Sequence, residues 1–235
     1  RMPTVRPANA AYDGRFDIPT WAEIVDFVAA ESSVRSRPIG LVPELKHSTY
    51  FRGIGLPLED RFLASIAAHD QLRRGPLIVQ SFEIANLRHL RKALGRPGNL
   101  QLMQLTIGFP LSPADVAAKG GRVTYPEMMT PAGLADIATY ADILAPDTRA
   151  LIPVDPAGRL GKPTPIIADA HRAGLVVMPW TFRPENQFLP PALREGTDPN
   201  RRVPAASITE IRAYLKAGID GFFTDDPAIG RAALH

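Results

Sequence analysis

The stretch Ile39-Gly40-Leu41-Val42-Pro43-Glu44-Leu45-Lys46 has the composition of a buried strand that ends in a carboxylate and an ammonium group. Because side chains alternate between the two faces of a strand, Glu44 and Lys46 are predicted to project to one face and Leu45 to the other. Two charges at the end of an apolar run must be paired with each other, with a metal or with an anionic ligand. The stretch therefore predicts a functional site at a strand end.

Strand and helix patterns alternate along the rest of the chain. Five further strands are predicted, over residues 77–82, 100–106, 142–145, 175–181 and 221–224. Helical spacing of apolar residues predicts helices before and between them, over residues 21–30, 58–72, 84–94, 131–140, 165–173 and 206–217. Thr20 and Glu23 have the spacing of a capping box for the first helix. Apolar strands separated by helices indicate an α/β protein with a parallel sheet.

The length of 235 residues favours a closed barrel over an open doubly wound sheet. The chain has no Gly-rich phosphate loop, which counts against the nucleotide-binding α/β folds. A TIM (β/α)8 barrel has eight strands, and the sequence predicts about the last six of them. We therefore expect residues 1–235 to form a single domain that is the C-terminal part of such a barrel, with its N-terminal strands outside this chain.

Composition limits the classes of partner. Apolar residues make up 45% of the chain, enough for a sizeable core. The 27 basic and 24 acidic residues are scattered, so no nucleic-acid partner is predicted. The chain has no cysteine, which excludes disulfides and zinc-thiolate sites. No apolar run approaches the roughly 18 residues of a membrane span, so no stable membrane insertion is expected.

Four segments together resemble the glycerophosphodiester phosphodiesterase family, particularly its bacterial periplasmic branch, and occur in the same order. They are Val42-Pro43-Glu44-Leu45-Lys46, Val79-Gln80-Ser81-Phe82, the run from Gly174 to Thr181 that contains Met178-Pro179-Trp180, and the run from Ala217 to Pro227 that ends in Thr224-Asp225-Asp226-Pro227. The resemblance implies a phosphodiesterase-type barrel, a small-molecule glycerophosphodiester substrate, and hydrolysis to an alcohol and glycerol 3-phosphate. It also implies a divalent cation, Ca²⁺ or Mg²⁺, and favours a periplasmic or secreted location.

By this resemblance, Glu44 takes the position of a metal-ligating carboxylate, and Lys46 that of a catalytic basic residue facing the phosphate. Trp180 takes the place of an aromatic residue that lines the substrate groove. The alternative for Glu44 and Lys46 is a structural ion pair, which would stabilise the fold little once desolvation is counted. The alternative for Trp180 is a place in the core.

Three further residues are candidate substrate contacts. Gln80 and Phe82 share one face of their strand, and Gln104 shares a face with Leu102 on the next strand, so each could place a polar or aromatic tip beyond an apolar stem. Glutamines that are buried and satisfied by a neighbouring strand are the open alternative.

The chain departs from the family pattern at its catalytic strands. The family carries a His-Arg-Gly motif on its first strand and a Glu-x-Asp pair on the next. Neither is present, and none of the five histidines, His47, His69, His89, His171 and His235, precedes Arg-Gly. The first four of them are interpreted as solvated or capping. An upstream segment of the same protein is therefore expected to complete the barrel and supply the acid and base, and this stretch alone is expected to be inactive.

Two alternatives to this function remain. The first keeps the barrel but acts on sphingomyelin or lysophospholipids, as related phospholipase D enzymes do. The second is a barrel or barrel fragment that binds a phosphodiester without cleaving it.

Overall fold

The sheet is parallel and follows the order of the chain. A computed structural model describes residues 6–235. Its four strands are β1 Leu77–Ser81, β2 Leu100–Thr106, β3 Ile143–Pro146 and β4 Val176–Val177, and each pairs in parallel with the next. This confirms the predicted α/β class.

Two extended segments continue the sheet on either side of these strands. Before β1, Leu41 bridges Leu77 and Glu44 bridges Gln80, both in parallel. After β4, a parallel bridge joins residues 182 and 224. Six parallel segments therefore lie side by side in chain order, as the sequence predicts.

Helices cover one face of the sheet. The described α-helices are α1 Trp21–Val34, α2 Ser48–Gly53, α3 Leu58–Ala68, α4 Asp70–Arg74, α5 Ile84–Leu94, α6 Ala114–Ala117, α7 Tyr125–Met128, α8 Pro131–Tyr140, α9 Thr148–Leu151, α10 Ile166–Arg172, α11 Pro204–Ala217 and α12 Pro227–Ala233. Short 3-10 helices occupy Pro7–Tyr12 and Pro191–Leu193. The predicted capping box is present, because Thr20 and Glu23 exchange hydrogen bonds at the start of α1.

Four predicted elements differ from those observed. The strand predicted over residues 175–181 continues beyond β4 only as isolated bridges, and the strand predicted over residues 221–224 is reduced to a single bridge at Thr224. The helix predicted over residues 58–72 is interrupted at His69, where the backbone is extended and the ring Nδ1 lies 2.9 Å from the carbonyl oxygen of Ser65. The strand predicted over residues 39–46 hydrogen-bonds to its neighbour only from Leu41 to Leu45, and a turn begins at Lys46. The predicted strand therefore ends one residue before Lys46.

The apolar core lies on both faces of the sheet. The face towards the helices carries Leu77, Val79 and Leu102, which belong to one cluster with Leu87 and Leu90 of α5. The opposite face, here called the inner face, carries a second cluster formed by Met103, Leu105, Ile143 and Ala145, with Phe82 and Trp180 packed against it. A sheet covered on both faces is expected for parallel strands.

The sheet does not close on itself within residues 6–235, where no bridge joins the 41–44 segment to the segment around Thr224. Among the helices of this described part, none has the length and apolar character needed to cross a membrane.

Candidate active site

Glu44 lies on the inner face of the sheet. The register pairs Glu44 with Gln80, Gln80 with Met103, and Met103 with Ile143. Residues paired across parallel strands project to the same face, and Met103 and Ile143 belong to the inner cluster. Glu44 and Gln80 therefore both project inward, and Gln80 Nε2 also donates to the carbonyl oxygen of Val42 at 3.3 Å.

Lys46 and Glu44 form an ion pair, with 3.3 Å between Nζ and Oε2. The Lys46 side chain is 62% exposed and that of Glu44 22% exposed. Ion pairs open to solvent contribute about 0–1 kcal/mol, because water screens the attraction. The ammonium group can therefore exchange Glu44 for an anionic ligand at little cost.

Aromatic rings stand beside this pair at the carboxyl ends of the strands. Phe82, directly after β1, makes edge-to-face contacts with Trp180, at 5.6 Å between ring centroids, and with Tyr125, at 5.9 Å. The indole Nε1 of Trp180 donates to the carbonyl oxygen of Ala145 at 2.9 Å. The structure thus brings together Glu44, Lys46, Gln80, Phe82 and Trp180 at one end of the inner face.

Gln104 is not part of this group. Its side chain is fully buried on the helix-facing side of β2, where its Oε1 accepts from the Tyr140 hydroxyl at 2.9 Å. Its Nε2 donates to the carbonyl oxygens of Ser81 and Phe82, each at 3.2 Å. The prediction that Gln104 contacts substrate conflicts with this placement, because the amide is already satisfied by protein partners.

A buried polar network holds the turn that carries Lys46. Ser81 is fully buried, and its hydroxyl donates to the carbonyl oxygen of Leu45 at 3.1 Å. Asn86 Nδ2 donates to the hydroxyls of Ser81, at 2.7 Å, and Ser48, at 2.8 Å. Buried and fully paired groups of this kind fix one conformation. The network joins the start of α2 to the end of β1.

Glu83 fixes the same turn from the other side. Its carboxylate accepts from the backbone N–H of Thr49 at 2.9 Å and from the Thr49 hydroxyl. Thr49 lies in the first turn of α2, where a negative charge is favoured by the helix dipole. The backbone on both sides of Lys46 and His47 is therefore restrained.

A cavity of about 420 Å³ opens between this turn and the loops after β1 and β2. Glu44, Lys46 and Phe82 line it. Sequence reasoning missed the other nine lining residues, among them His47, Ile107, Leu111 and Tyr125. The only signal for His47 was its place directly after Lys46, and the loop after β2 gave none.

Tyr125 is neutral in this cavity wall. Burial, reinforced by the negative charges of Asp115 and Glu83, raises the pKa of Tyr125 to about 12. Its hydroxyl therefore keeps its proton at neutral pH and donates to the carbonyl oxygen of Phe82 at 3.3 Å.

Comparison with known proteins assigns the chain to a family. The model of the glycerophosphoryl diester phosphodiesterase family matches residues 4–229. The chain belongs to this family. Its curated relatives include the glycerophosphodiester phosphodiesterase GDPD6 of Arabidopsis thaliana, which is 29% identical over an alignment of 229 residues; the alignment covers 91% of this chain and 55% of that protein.

Similarity to a solved structure confirms the phosphodiesterase-type barrel fold of this chain. The solved structure is a crystal structure of a protein from Silicibacter pomeroyi DSS-3 assigned as a glycerophosphoryl diester phosphodiesterase, with a TM-score of 0.58 at 20% identity. The match covers 92% of this chain and 56% of that one. The chain thus spans about half the length of both relatives.

The described residues do not by themselves fit the divalent cation predicted for this glycerophosphodiester phosphodiesterase family member. Calcium takes six to eight oxygen ligands and magnesium six. Glu44 offers one carboxylate, already paired with Lys46, and within residues 6–235 no three His, Cys, Asp or Glu side chains converge on a point that could hold a metal. Binding of a divalent cation therefore stays a prediction, and Glu44 is the one described residue for which a ligand role is predicted.

Proposed function

We propose that the protein hydrolyses glycerophosphodiesters to an alcohol and glycerol 3-phosphate. The observation that carries this proposal is the placement of the Glu44–Lys46 pair on the inner face, at the carboxyl end of its strand segment, in a chain of the phosphodiesterase family. Enzymes with this barrel build their active sites at that end of the strands.

Lys46 would face the phosphate oxygens and stabilise the negative charge that develops on them. Gln80, Phe82 and Trp180 would contact the substrate beside Lys46. Gln104 would not, because its buried amide is already hydrogen-bonded to protein groups. In the reaction, a phosphorus–oxygen bond to water forms, the bond to the alcohol breaks, and a proton passes to the leaving alkoxide. We propose that the acid and base for these proton transfers come from an upstream segment of the protein that carries the family's histidines.

Ca²⁺ or Mg²⁺ is proposed as the cofactor, with Glu44 as one of its ligands and the others supplied by the same upstream segment. Isothermal titration calorimetry of the full-length protein with each cation tests this. Glu44→Gln is expected to weaken binding, and an unchanged dissociation constant would remove Glu44 from the ligand set.

The activity is tested by release of glycerol 3-phosphate from glycerophosphocholine, with full-length protein and either cation. Saturable release supports the proposal. Binding of glycerophosphocholine without release would favour the non-catalytic barrel, and release of choline from sphingomyelin but no glycerol 3-phosphate from glycerophosphocholine would favour a phospholipase D-like enzyme.

A further inference from the structure

We infer that the cavity of about 420 Å³ beside Lys46 is a binding site for the alcohol moiety of the substrate, and that it selects an aliphatic chain. This inference rests on the proposed function, since it names the substrate class of the same site. We call it the alcohol pocket, lined by Glu44, Leu45, Lys46, His47, Ser81, Phe82, Glu83, Ile107, Leu111, Ser112, Ala114 and Tyr125.

One side of the alcohol pocket is apolar. Phe82 and Ile107 are partly buried and pack against the core while still lining the cavity. Leu111, on the loop after β2, is 59% exposed and presents its side chain to the same space. Pockets that bind small molecules are mostly apolar, with a few polar groups that fix orientation. A chain of methylene groups entering here would cover apolar surface that now faces water.

The ammonium group of Lys46 lies on the other side of the pocket, because β1 separates the 41–44 segment from β2 in the sheet. Lys46 and His47 follow one another on the turn before α2, and Lys46 is largely exposed. A phosphate at Lys46 therefore leaves its alcohol substituent pointing towards Phe82 and Leu111. The pocket is therefore complementary to its proposed ligand. The ligand's anionic end would meet Lys46, and its apolar end would meet Phe82 and Leu111.

Glu83 does not offer a free charge to a cationic alcohol such as choline. It is 4% exposed, and both of its carboxylate oxygens accept from Thr49. Glu44 is paired with Lys46 in this structure, and in the proposed enzyme it would ligate the divalent cation once a phosphate takes its place at Lys46. A quaternary ammonium group would thus meet the Lys46 charge without an unpaired carboxylate to offset it. These contacts favour an aliphatic alcohol over a cationic one.

The test measures binding apart from catalysis. Ethyl, butyl and hexyl phosphate and phosphocholine are titrated into full-length protein by calorimetry. Each added methylene is expected to lower the dissociation constant about threefold to fourfold if it is buried. Phosphocholine is expected to bind more weakly than hexyl phosphate. Equal affinities across the alkyl series, or tighter binding of phosphocholine, would overturn the inference.

A matched pair of variants locates the effect. Leu111→Asn is expected to abolish most of the gain with chain length, so that hexyl phosphate loses far more affinity than ethyl phosphate. Leu234→Asn is the control, because Leu234 is equally exposed, at 61%, and lies after α12, outside the alcohol pocket. If both variants keep the chain-length dependence, Leu111 is not in the site and the inference fails.

A kinetic arm separates this inference from the proposed function. Glycerol phosphodiesters of ethanol, hexanol and choline are compared as substrates of the full-length protein. Hydrolysis of all three with equal kcat/KM keeps the proposed function and overturns the alcohol pocket. No hydrolysis of any, with the alkyl phosphate series still graded in the binding assay, overturns the proposed function and keeps the pocket.

Discussion

Lys46 is the residue whose charge is most available to a ligand at the candidate site. Its ion pair with Glu44 is 3.3 Å long, and most of its side chain is in solvent. Its position is nevertheless fixed, because the hydrogen bonds of Ser81 and Glu83 hold the backbone on both sides of it. A mobile charge on a fixed backbone suits a group that must change partner when a phosphate binds.

Lys46→Gln is expected to lower kcat/KM for glycerophosphodiester hydrolysis about tenfold or more, because it removes the positive charge that stabilises the phosphate oxygens. Steady-state kinetics of the full-length protein measure this. Lys92→Gln, on the exposed side of α5, removes the same charge away from the site and should leave kcat/KM unchanged. A Lys46→Gln enzyme with full kcat/KM would make the ion pair a purely structural one.

Glu83→Gln is expected to reduce the free energy of unfolding by about 1–3 kcal/mol, because an amide N–H2 would face the Thr49 donors in a buried site. Urea unfolding measures the change. Glu195→Gln is the control, since that carboxylate is 54% exposed and paired with Arg201, and it should change stability by less than about 0.5 kcal/mol. Equal stability of the two variants would show that the Glu83–Thr49 contact does not hold the turn.

The two glutamines show what the sequence can predict at this scale. Gln80 sits on the inner face and Gln104 on the helix-facing side, although both lie near the end of a strand. The strand bounds of β2 agree with the predicted residues 100–106. All of its side chains except that of Gln101 are buried, however, so the sequence pattern has no polar face to show which residues point inward. Only the register of β2 with β1 and β3 shows which of its side chains lie on the inner face.

At the scale of helices, close packing of α7 against the start of α8 depends on Gly133. A Cβ at this position would lie 2.4 Å from the carbonyl oxygen of Glu127 and 2.5 Å from that of Met128. Both obstacles are backbone atoms, so the two helices would have to separate. This contact supports the loop after β2, which contributes Tyr125 to the cavity.

Gly133→Ala is expected to destabilise the protein by about 1–3 kcal/mol through this overpacking. Gly53→Ala is the matched control, because Gly53 ends α2 with no heavy atom within 4 Å of the added Cβ. It should be neutral or stabilising by up to about 1 kcal/mol, since alanine favours helix. The midpoints of urea unfolding compare the two. A Gly133→Ala midpoint at or above that of wild type would contradict the contact.

The packing of α11 against α9 predicts a pH dependence of stability. Burial raises the pKa of Glu210 on α11, and the nearby Arg149 of α9 offsets this only in part. A carboxyl whose pKa is higher in the folded than in the unfolded state contributes stability below its unfolded pKa, near 4.3, and loses it as the pH rises through the folded value.

The stability of wild type relative to Glu210→Gln is therefore expected to fall as the pH rises from about 4. Urea unfolding of both proteins at pH values from 4 to 8 measures this. The difference should be constant once Glu210 is ionised in both states. A difference that is flat over the whole range, or that grows with pH, would contradict the raised pKa.

For the whole molecule, the sheet has two edges that the described residues leave unpaired. Nothing within residues 6–235 pairs with the outer side of the 41–44 segment or with the outer side of the segment around Thr224. Unpaired edges favour association with another chain. The order of parallel segments was predictable from alternating strands and helices, but the cavity was not, because it depends on how distant loops meet.

Residues 1–235 produced by themselves are expected to associate or to unfold without cooperativity, for this reason. Sedimentation velocity and thermal unfolding followed by circular dichroism test the expectation. A longer chain that carries the proposed upstream segment, under the same conditions, is the comparison. A monomeric, cooperative transition of the 235-residue chain would show that these edges are protected in another way.

The two tryptophans of the chain report on different parts of it. Trp21 donates to the Ser65 hydroxyl at 2.9 Å and packs against Phe62 with its ring tilted in the helix layer, whereas Trp180 contacts Phe82 edge to face at the inner face. A Trp21→Phe variant of this chain would keep one tryptophan, next to a ring that lines the cavity. Its emission spectrum would then follow occupancy of the cavity directly, without a label or a coupled enzyme.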